Sequence, residues 1–128
     1  MPKRYINLSV FLLKVYVLIQ LIVYVFGARE TTAPPGYGTA GGLVNQVLAA
    51  YPGSASAAIV YPACGGQASC GGASYDSSAS QGTAAVVSAV TSYNKQCPNT
   101  QIVLIGYSQV CGPLLAARTN LHPQTEDA

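Results

Sequence analysis

Charged side chains are scarce in this sequence, in which only 8% of the 128 residues are Asp, Glu, Lys or Arg. Half of the six basic residues lie within the first fourteen positions, as Lys3, Arg4 and Lys14. From Gly27 onward the sequence holds three bases and four acids, a net charge of −1. We therefore expect no basic patch for nucleic acid. The polar surface must come mainly from hydroxyl and amide groups, which suits an uncharged substrate such as a polysaccharide or polyester.

The apolar N-terminal segment, residues 1–22, lacks a clean cleavage signal. Basic residues precede an apolar run from Leu8 to Phe26, an outline typical of a secretory signal. However, no A-x-A-like cleavage site follows, and Lys14 lies within the run. The run is nearly long enough to span a bilayer, so a membrane anchor is an alternative. A third interpretation is that its last residues, about Ile22 to Phe26, form a buried strand.

The most informative stretch runs from Ile102 to Gln109. Four apolar residues lead into a glycine, a tyrosine and Ser108. Such a run predicts a strand buried on both faces, and a serine on the sharp turn after it is the nucleophile elbow of the α/β-hydrolases. Val110 departs from the G-x-S-x-G pattern, and a β-branched residue there is expected to crowd the helix against the strand. The alternative is a buried strand followed by an ordinary polar turn.

The middle of the sequence alternates strand and helix patterns. The predicted elements are a loop over 31–37, a helix over 40–50, a strand over 57–61, a glycine-rich loop over 64–74, a helix over 77–95 and a strand over 100–107. Apolar residues at helical spacing indicate the two helices: Leu43, Val44, Val47 and Leu48 in the first, and Val86, Val90 and Tyr93 in the second. Asp76 or Ser77 is expected to cap the second helix. This order predicts an α/β fold with a parallel sheet and right-handed crossovers.

Four further motifs follow one another along the chain: Gly27-Ala28-Arg29-Glu30-Thr31-Thr32, Pro35-Gly36-Tyr37-Gly38, Tyr61-Pro62-Ala63-Cys64-Gly65-Gly66-Gln67 and Ser69-Cys70-Gly71-Gly72-Ala73-Ser74-Tyr75. In order and spacing they resemble the acetylxylan esterases, which belong with the cutinases to one family of small secreted serine esterases. The resemblance covers the N-terminal portion of that family, roughly Val25 to Gln109 here. It implies a three-layer α/β/α cutinase-like α/β-hydrolase domain over residues 23–110, truncated after the elbow, with about three parallel strands.

The same resemblance assigns roles to three residues. Ser108 is the nucleophile, and Thr31 and Gln109 form the oxyanion hole, Thr31 through its hydroxyl and N–H and Gln109 through its backbone N–H. These placements fit a parallel sheet, because strand ends and helix N-termini converge on one edge. The implied protein is a secreted, monomeric esterase that removes acetyl groups from xylan, with no metal or cofactor. Cutinase-like hydrolysis of aliphatic polyesters is the alternative.

The cysteines fit a secreted protein. Cys64 and Cys70 lie in a glycine-rich loop that can bend, and we predict a disulfide between them, as the resemblance also implies. Two free thiols or a metal pair are the alternatives, although a zinc site needs further ligands. Cys97 resembles a cysteine whose family partner lies where this sequence has Gln20. Cys111 lies beyond a strand of about 25 Å, too far for a bridge, so Cys97 is expected to be unpaired.

The acid and base that activate a serine are missing from the region of resemblance. His122 is the only histidine and Asp127 the only aspartate after Ser108, whereas the family order is Ser, Asp, His. Residues 111–128 show no family pattern and predict a short helix at best, then a disordered tail. We therefore expect His122 to be a solvated tail residue. A chain truncated after Gln109, for instance by a translated intron, would have little activity, and its strand before Ser108 would be left at the edge of the sheet or covered only by the tail. A third functional hypothesis is a non-catalytic, membrane-anchored fragment.

Overall fold

The computed structural model describes residues 22–110 and Gly112, which form three strands, two helices and three short 3₁₀ turns. The strands are β1 (Val23–Ala28), β2 (Ala55–Ala58) and β3 (Gln101–Gly106). The helices are α1 (Gly41–Ala50) and α2 (Tyr75–Gln96), and the turns cover Gly38–Ala40, Ala68–Cys70 and Ser108–Val110. The predicted order of strands and helices is confirmed, including a strand at the end of the N-terminal apolar run.

The two flanking segments fall largely outside this description. Of the expected signal- or anchor-like segment 1–22 only Ile22 is described, and of the expected tail 111–128 only Gly112. Within residues 22–110, neither helix is both long and apolar enough to cross a membrane.

The three strands form one parallel sheet in the order β2–β1–β3. β1 lies in the centre, where its Tyr24 is level with Ala55 on one side and with Ile102 on the other. The pairing with β3 continues to Ala28, which is level with Gly106. Because parallel strands need crossovers, the chain steps one way from β1 through α1 to β2, then back past β1 through α2 to β3. Right-handed crossovers in opposite directions place α1 and α2 on opposite faces.

Alternate side chains of β1 point to the two faces of the sheet. Val23 and Val25 pack with Val44 of α1 in one core cluster. Phe26 packs with Val86 of α2 in the other, as the predicted apolar stripe of α2 requires. The three-layer α/β/α arrangement expected from the sequence is therefore confirmed for the described part of the chain.

The strands differ in two ways from what their apolar runs predict. The run in β3 predicts burial on both faces, but β3 lies at an edge of the described sheet, so Ile102, Val103 and Leu104 are only half-buried; this edge position agrees with the expected truncation after the elbow. β2 covers Ala55–Ala58 rather than 57–61. Beyond Ala58 the contact with β1 continues only through Ile59, whose N–H donates to the carbonyl of Gly27 at 2.8 Å, and β1 itself ends at Ala28.

Two expectations about the helices also change. Leu43, predicted to lie on the apolar face of α1, is 51% exposed, because the stripe centred on the fully buried Val44 turns it toward solvent. The cap of α2 is neither Asp76 nor Ser77 but Ser74, whose hydroxyl oxygen accepts the Ser77 N–H at 3.2 Å. α2 accordingly begins at Tyr75, two residues before its predicted start.

Gly27 allows Tyr37 to pack directly against the central strand. A Cβ there would lie 2.6 Å from Tyr37 Cδ1 and 3.0 Å from Val44 Cγ2, and the Tyr37 hydroxyl is hydrogen-bonded to Ser56 Oγ at 2.7 Å. We predict that Gly27→Ala lowers the free energy of unfolding by about 1–3 kcal/mol through overpacking. Gly42→Ala is the matched control, since no atom lies within 4 Å of its Cβ position. Chemical denaturation measures both, and equal stability of the two variants would contradict the prediction.

Candidate active site

The chain leaves β1 and β3 toward opposite faces of the sheet. After β1 it leads to α1, whereas after β3 it enters a turn whose Val110 is buried in the α2-side core with Phe26. Ala28 at the end of β1 is level with Gly106 at the end of β3. In open parallel sheets, the crevice outside the carboxyl ends of two such neighbouring strands is the usual ligand site. The loops after β1 and β3 therefore define the candidate site.

Ser108 follows β3 with a strained backbone. Its φ is +62°, in the left-handed region that costs a non-glycine residue about 1–3 kcal/mol. Ser108 is exposed, while the next two residues, Gln109 and Val110, are buried. A strained, exposed serine on the turn after a strand has the geometry of a nucleophile elbow. Val110, expected to crowd this turn, instead fills the core and coexists with the positive φ at Ser108.

Gln109 is only 2% exposed, and its side-chain amide is satisfied by its neighbours. Nε2 donates to the carbonyl of Cys64 at 2.9 Å and, more weakly, to the carbonyl of Tyr75 at 3.5 Å. Oε1 accepts a hydrogen bond from the Ser78 hydroxyl at 3.1 Å. Leaving a buried amide without partners costs about 1–3 kcal/mol. These bonds therefore hold the side chain, and with it the first residue after Ser108.

Thr31 is half-buried in the turn that follows β1. The next residue, Thr32, has φ +65°, and its N–H donates to the carbonyl of Ala63 at 2.7 Å. On the other side, the Glu30 carboxylate accepts the hydroxyl of Thr39 at 2.7 Å and its N–H at 2.9 Å. The Thr39 hydroxyl, followed by backbone N–H groups, lowers the pKa of Glu30. The turn carrying Thr31 is thus held at both ends.

The predicted disulfide between Cys64 and Cys70 is present, with 5.5 Å between their Cα atoms. The loop that it closes borders the turn after β1, because the Thr31 methyl lies 3.5 Å from the Cβ position of Gly65. Cys97 is half-buried and forms no disulfide within the part of the chain that is described. Cys111, the other cysteine considered above, lies outside the described residues.

Arg29 is a buried cation that the sequence patterns did not single out. It is 8% exposed, and its Nη2 donates to the carbonyls of Tyr61 at 2.7 Å and Pro62 at 3.4 Å. The Tyr61 hydroxyl donates back to the Arg29 carbonyl at 2.5 Å, and burial raises the pKa of Tyr61 to about 12. Arg29 therefore fastens the end of β1 to the segment after β2. The sequence marks Arg29 only as part of the family-like motif Gly27-Ala28-Arg29-Glu30-Thr31-Thr32.

An open groove of about 340 Å³ lies beside Ser108. Its described lining consists of Tyr75, Ala79, Ser80, Thr83, Ser108, Gln109 and Gly112. The structure thus brings Ser108 and Gln109 to one groove, whereas Thr31 lies on the neighbouring loop, against Gly65. His122 and Asp127 lie outside the described residues. Ser78, which binds Gln109, carried no sequence signal, since nothing distinguishes it from the other serines of α2.

A parallel sheet with a helical layer on each face and a strained serine directly after a strand defines an α/β-hydrolase fold. A family model narrows this class: the model described as Cutinase matches residues 21–128, and the chain belongs to the cutinase family. That match includes the segment after Gln109, whereas the curated relatives align over 87 residues. The domain boundary at residue 110 stays a prediction.

Relatives within the family are named either as a cutinase or as an acetylxylan esterase. The chain is 71% identical over 87 residues to Cutinase 11 of Verticillium dahliae and 70% identical over 87 residues to acetylxylan esterase 2 of Talaromyces purpureogenus. These alignments cover 68% of this chain but 30% and 37% of the two relatives, so the chain spans about a third of their length. An acetyl xylan esterase crystal structure, an iodinated complex, superposes with a TM-score of 0.71 at 64% identity, covering 73% of this chain and 45% of that one.

The backbone strain at Ser108 should appear as a difference in the free energy of unfolding between two variants. Glycine adopts a positive φ without steric cost, so we predict that Ser108→Gly unfolds with a free energy about 1 kcal/mol higher than Ser108→Ala. Both variants remove the hydroxyl, and the comparison therefore isolates the backbone term. Denaturant unfolding of the two variants measures the difference. An alanine variant as stable as the glycine variant would show that the turn relaxes and that the strain is not maintained.

Proposed function

We propose that this chain carries the nucleophile-bearing part of a secreted serine esterase that removes acetyl groups from xylan. The observation that carries the proposal is the strained, exposed Ser108 after β3, in a chain 70% identical over 87 residues to an acetylxylan esterase. Ser108 Oγ attacks the acetyl carbonyl while a base takes its proton, the sugar hydroxyl leaves, and water then releases acetate from the acyl-serine. The Cys64–Cys70 disulfide supports secretion, because such bonds persist in oxidising compartments.

In this proposal Thr31 and Gln109 stabilise the negative charge that develops on the carbonyl oxygen. Gln109 directly follows the nucleophile, the position that supplies one backbone N–H in α/β-hydrolases. Thr31 follows β1, the strand paired level with β3. Such a donor contributes about 10²–10³ in kcat when it is already aimed at the oxyanion. The buried side chain of Gln109 and the double anchoring of the Thr31 turn support this pre-organised role.

Ser108 also needs a general base, and the described residues include no histidine. The one histidine in the sequence, His122, is expected to be a solvated residue rather than this base. Without a base, only the contributions of substrate binding and of the oxyanion hole remain. We therefore expect the 128-residue chain to turn over little substrate, and the acid and base to come from a region corresponding to the rest of the longer relatives.

Hydrolysis of aliphatic polyesters is the second candidate function. Its specific support is the 71% identity to a relative named Cutinase 11, which is as high as the identity to the acetylxylan esterase. The preference for acetylxylan rests on two sequence segments, Arg29-Glu30-Thr31-Thr32 and Cys64-Gly65-Gly66-Gln67. Both segments border the loops at the carboxyl edge of the sheet, where an acyl group would bind.

The expectation about turnover can be checked with a chromogenic acetyl ester. The purified 128-residue chain and its Ser108→Ala variant should hydrolyse the ester at equal rates close to background, because the described residues include no histidine to act as the base of Ser108. The free ester in buffer gives the background rate. A clear rate that disappears in Ser108→Ala would contradict this expectation and show that a base, His122 for example, reaches the serine.

The esterase proposal itself is tested by a chimera. Residues 23–109 of this chain replace the matching region of acetylxylan esterase 2, so that the relative supplies the remaining residues. We expect the chimera to release acetate from acetylated xylan, and the release to stop with Ser108→Ala. Faster cleavage of long-chain acyl esters than of acetyl esters would favour the polyester alternative. A folded chimera with no Ser108-dependent hydrolysis of either substrate would overturn the proposal.

A further inference from the structure

The segment Ala63–Cys64 lies between the two loops that carry the proposed oxyanion donors. The carbonyl of Ala63 accepts the N–H of Thr32, the neighbour of Thr31, at 2.7 Å. The next carbonyl, that of Cys64, accepts the side-chain Nε2 of Gln109 at 2.9 Å. Two consecutive peptide groups after β2 are therefore bonded to the turn after β1 and to the turn after β3.

A closed set of hydrogen bonds fixes the Gln109 end of this connection. The N–H of Cys64 donates to Ser78 Oγ at 2.9 Å, and the Ser78 hydroxyl donates to Gln109 Oε1 at 3.1 Å. Gln109 Nε2 then returns to the carbonyl of Cys64. Cys64 and Ser78 are fully buried and Gln109 is 2% exposed, so water cannot replace a lost partner. Each of the three residues is held by the other two.

The Ala63–Cys64 segment is itself held on both sides. Ala63 is fully buried with φ +50°, a conformation that a non-glycine residue keeps only when its surroundings impose it. Cys64 is fastened by its disulfide to Cys70. The segment therefore has little freedom of its own, and a displacement at Cys64 is passed through the adjacent Ala63 carbonyl to the turn after β1.

We propose that Ser78 and the side chain of Gln109 are positioning residues, which set the separation of the two oxyanion donors through Cys64. The proposal rests on the proposed esterase function and gives Gln109 a second task. Its backbone N–H binds the oxyanion, and its side chain aims that N–H. A misplacement of about 1 Å in such a site costs up to about 10²-fold in rate, so a buried helix residue outside the catalytic groups controls kcat.

The first test uses the full 128-residue chain labelled with ¹⁵N and does not depend on activity. We expect Ser78→Ala to shift the amide resonances of both Gln109 and Thr32, because loss of the Ser78 hydroxyl disturbs Cys64 and the adjacent Ala63 carbonyl. Ser88→Ala is the matched control, an exposed serine of the same helix, and should shift neither resonance. If Ser78→Ala also leaves the amides of Gln109 and Thr32 unmoved, the proposal is wrong.

The second test measures kinetics in the chimera. Ser78→Ala should lower kcat about tenfold with little change in KM, and Ser88→Ala should change neither.

The Gln109→Glu variant adds a pH dependence: a protonated carboxyl can donate to the Cys64 carbonyl, whereas a carboxylate cannot. Its kcat relative to the parent chimera should therefore fall as pH rises, while the ratio for Ser78→Ala stays constant. Variants that lose thermal stability but keep the parent kcat, or a Gln109→Glu ratio that is independent of pH, would overturn the proposal. An inactive parent chimera would count against the esterase function alone, and the resonance shifts would still decide the positioning role.

Discussion

The parallel pairing of β1 with β3 is the constraint on which the candidate site depends. It sets Ala28 level with Gly106, so the two loops that follow start from the same height at one edge of the sheet. Because the loop after β1 leads to α1, whereas Val110 after β3 is buried in the core on the α2 side, those loops diverge and leave a crevice between them. The serine and the turn carrying Thr31 reach this crevice through a pairing between strands separated by more than seventy residues, not through any local motif.

The sequence predicted the parts of the structure that local pattern controls. The apolar run into Ser108, the helical spacing of Val86 and Val90, and the glycine-rich disulfide loop all appear as expected. The position of a strand within the sheet could not be read from such a local pattern, because a run such as Ile102–Leu104 is equally apolar at a sheet edge and at its centre. The edge position of β3 was expected only from the truncation after the elbow. Ser78 was also beyond prediction, because its role depends on Gln109, thirty-one positions away.

Charged residues are scarce in the sequence, and hydrogen bonds to neutral groups hold the candidate site together. The polar and charged groups that hold the loops around the crevice all have neutral partners: Gln109 binds a carbonyl and a hydroxyl, and the buried Arg29 is bound by the carbonyls of Tyr61 and Pro62. The Glu30 carboxylate likewise binds the hydroxyl and N–H of Thr39. None of these hydrogen bonds requires that both partners be charged, and burial keeps water from competing for the bonds of Gln109 and Arg29. The arrangement is therefore fixed by short hydrogen bonds between specific partners rather than by long-range charge.

Backbone strain gathers at the same edge of the sheet. Within the described residues, three non-glycine residues have a positive φ, and one follows each strand: Thr32 after β1, Ala63 after β2 and Ser108 after β3. Strain of this kind persists only where other interactions over-determine it. Thr32 and Ala63 are bonded to each other, and Ser108 is followed by two buried residues, Gln109 and Val110. The core of the sheet and the polar network thus maintain strained backbone conformations that would otherwise relax. The hydroxyl of Ser108 stays exposed because Gln109 and Val110, the two residues that follow it, are buried and hold the turn.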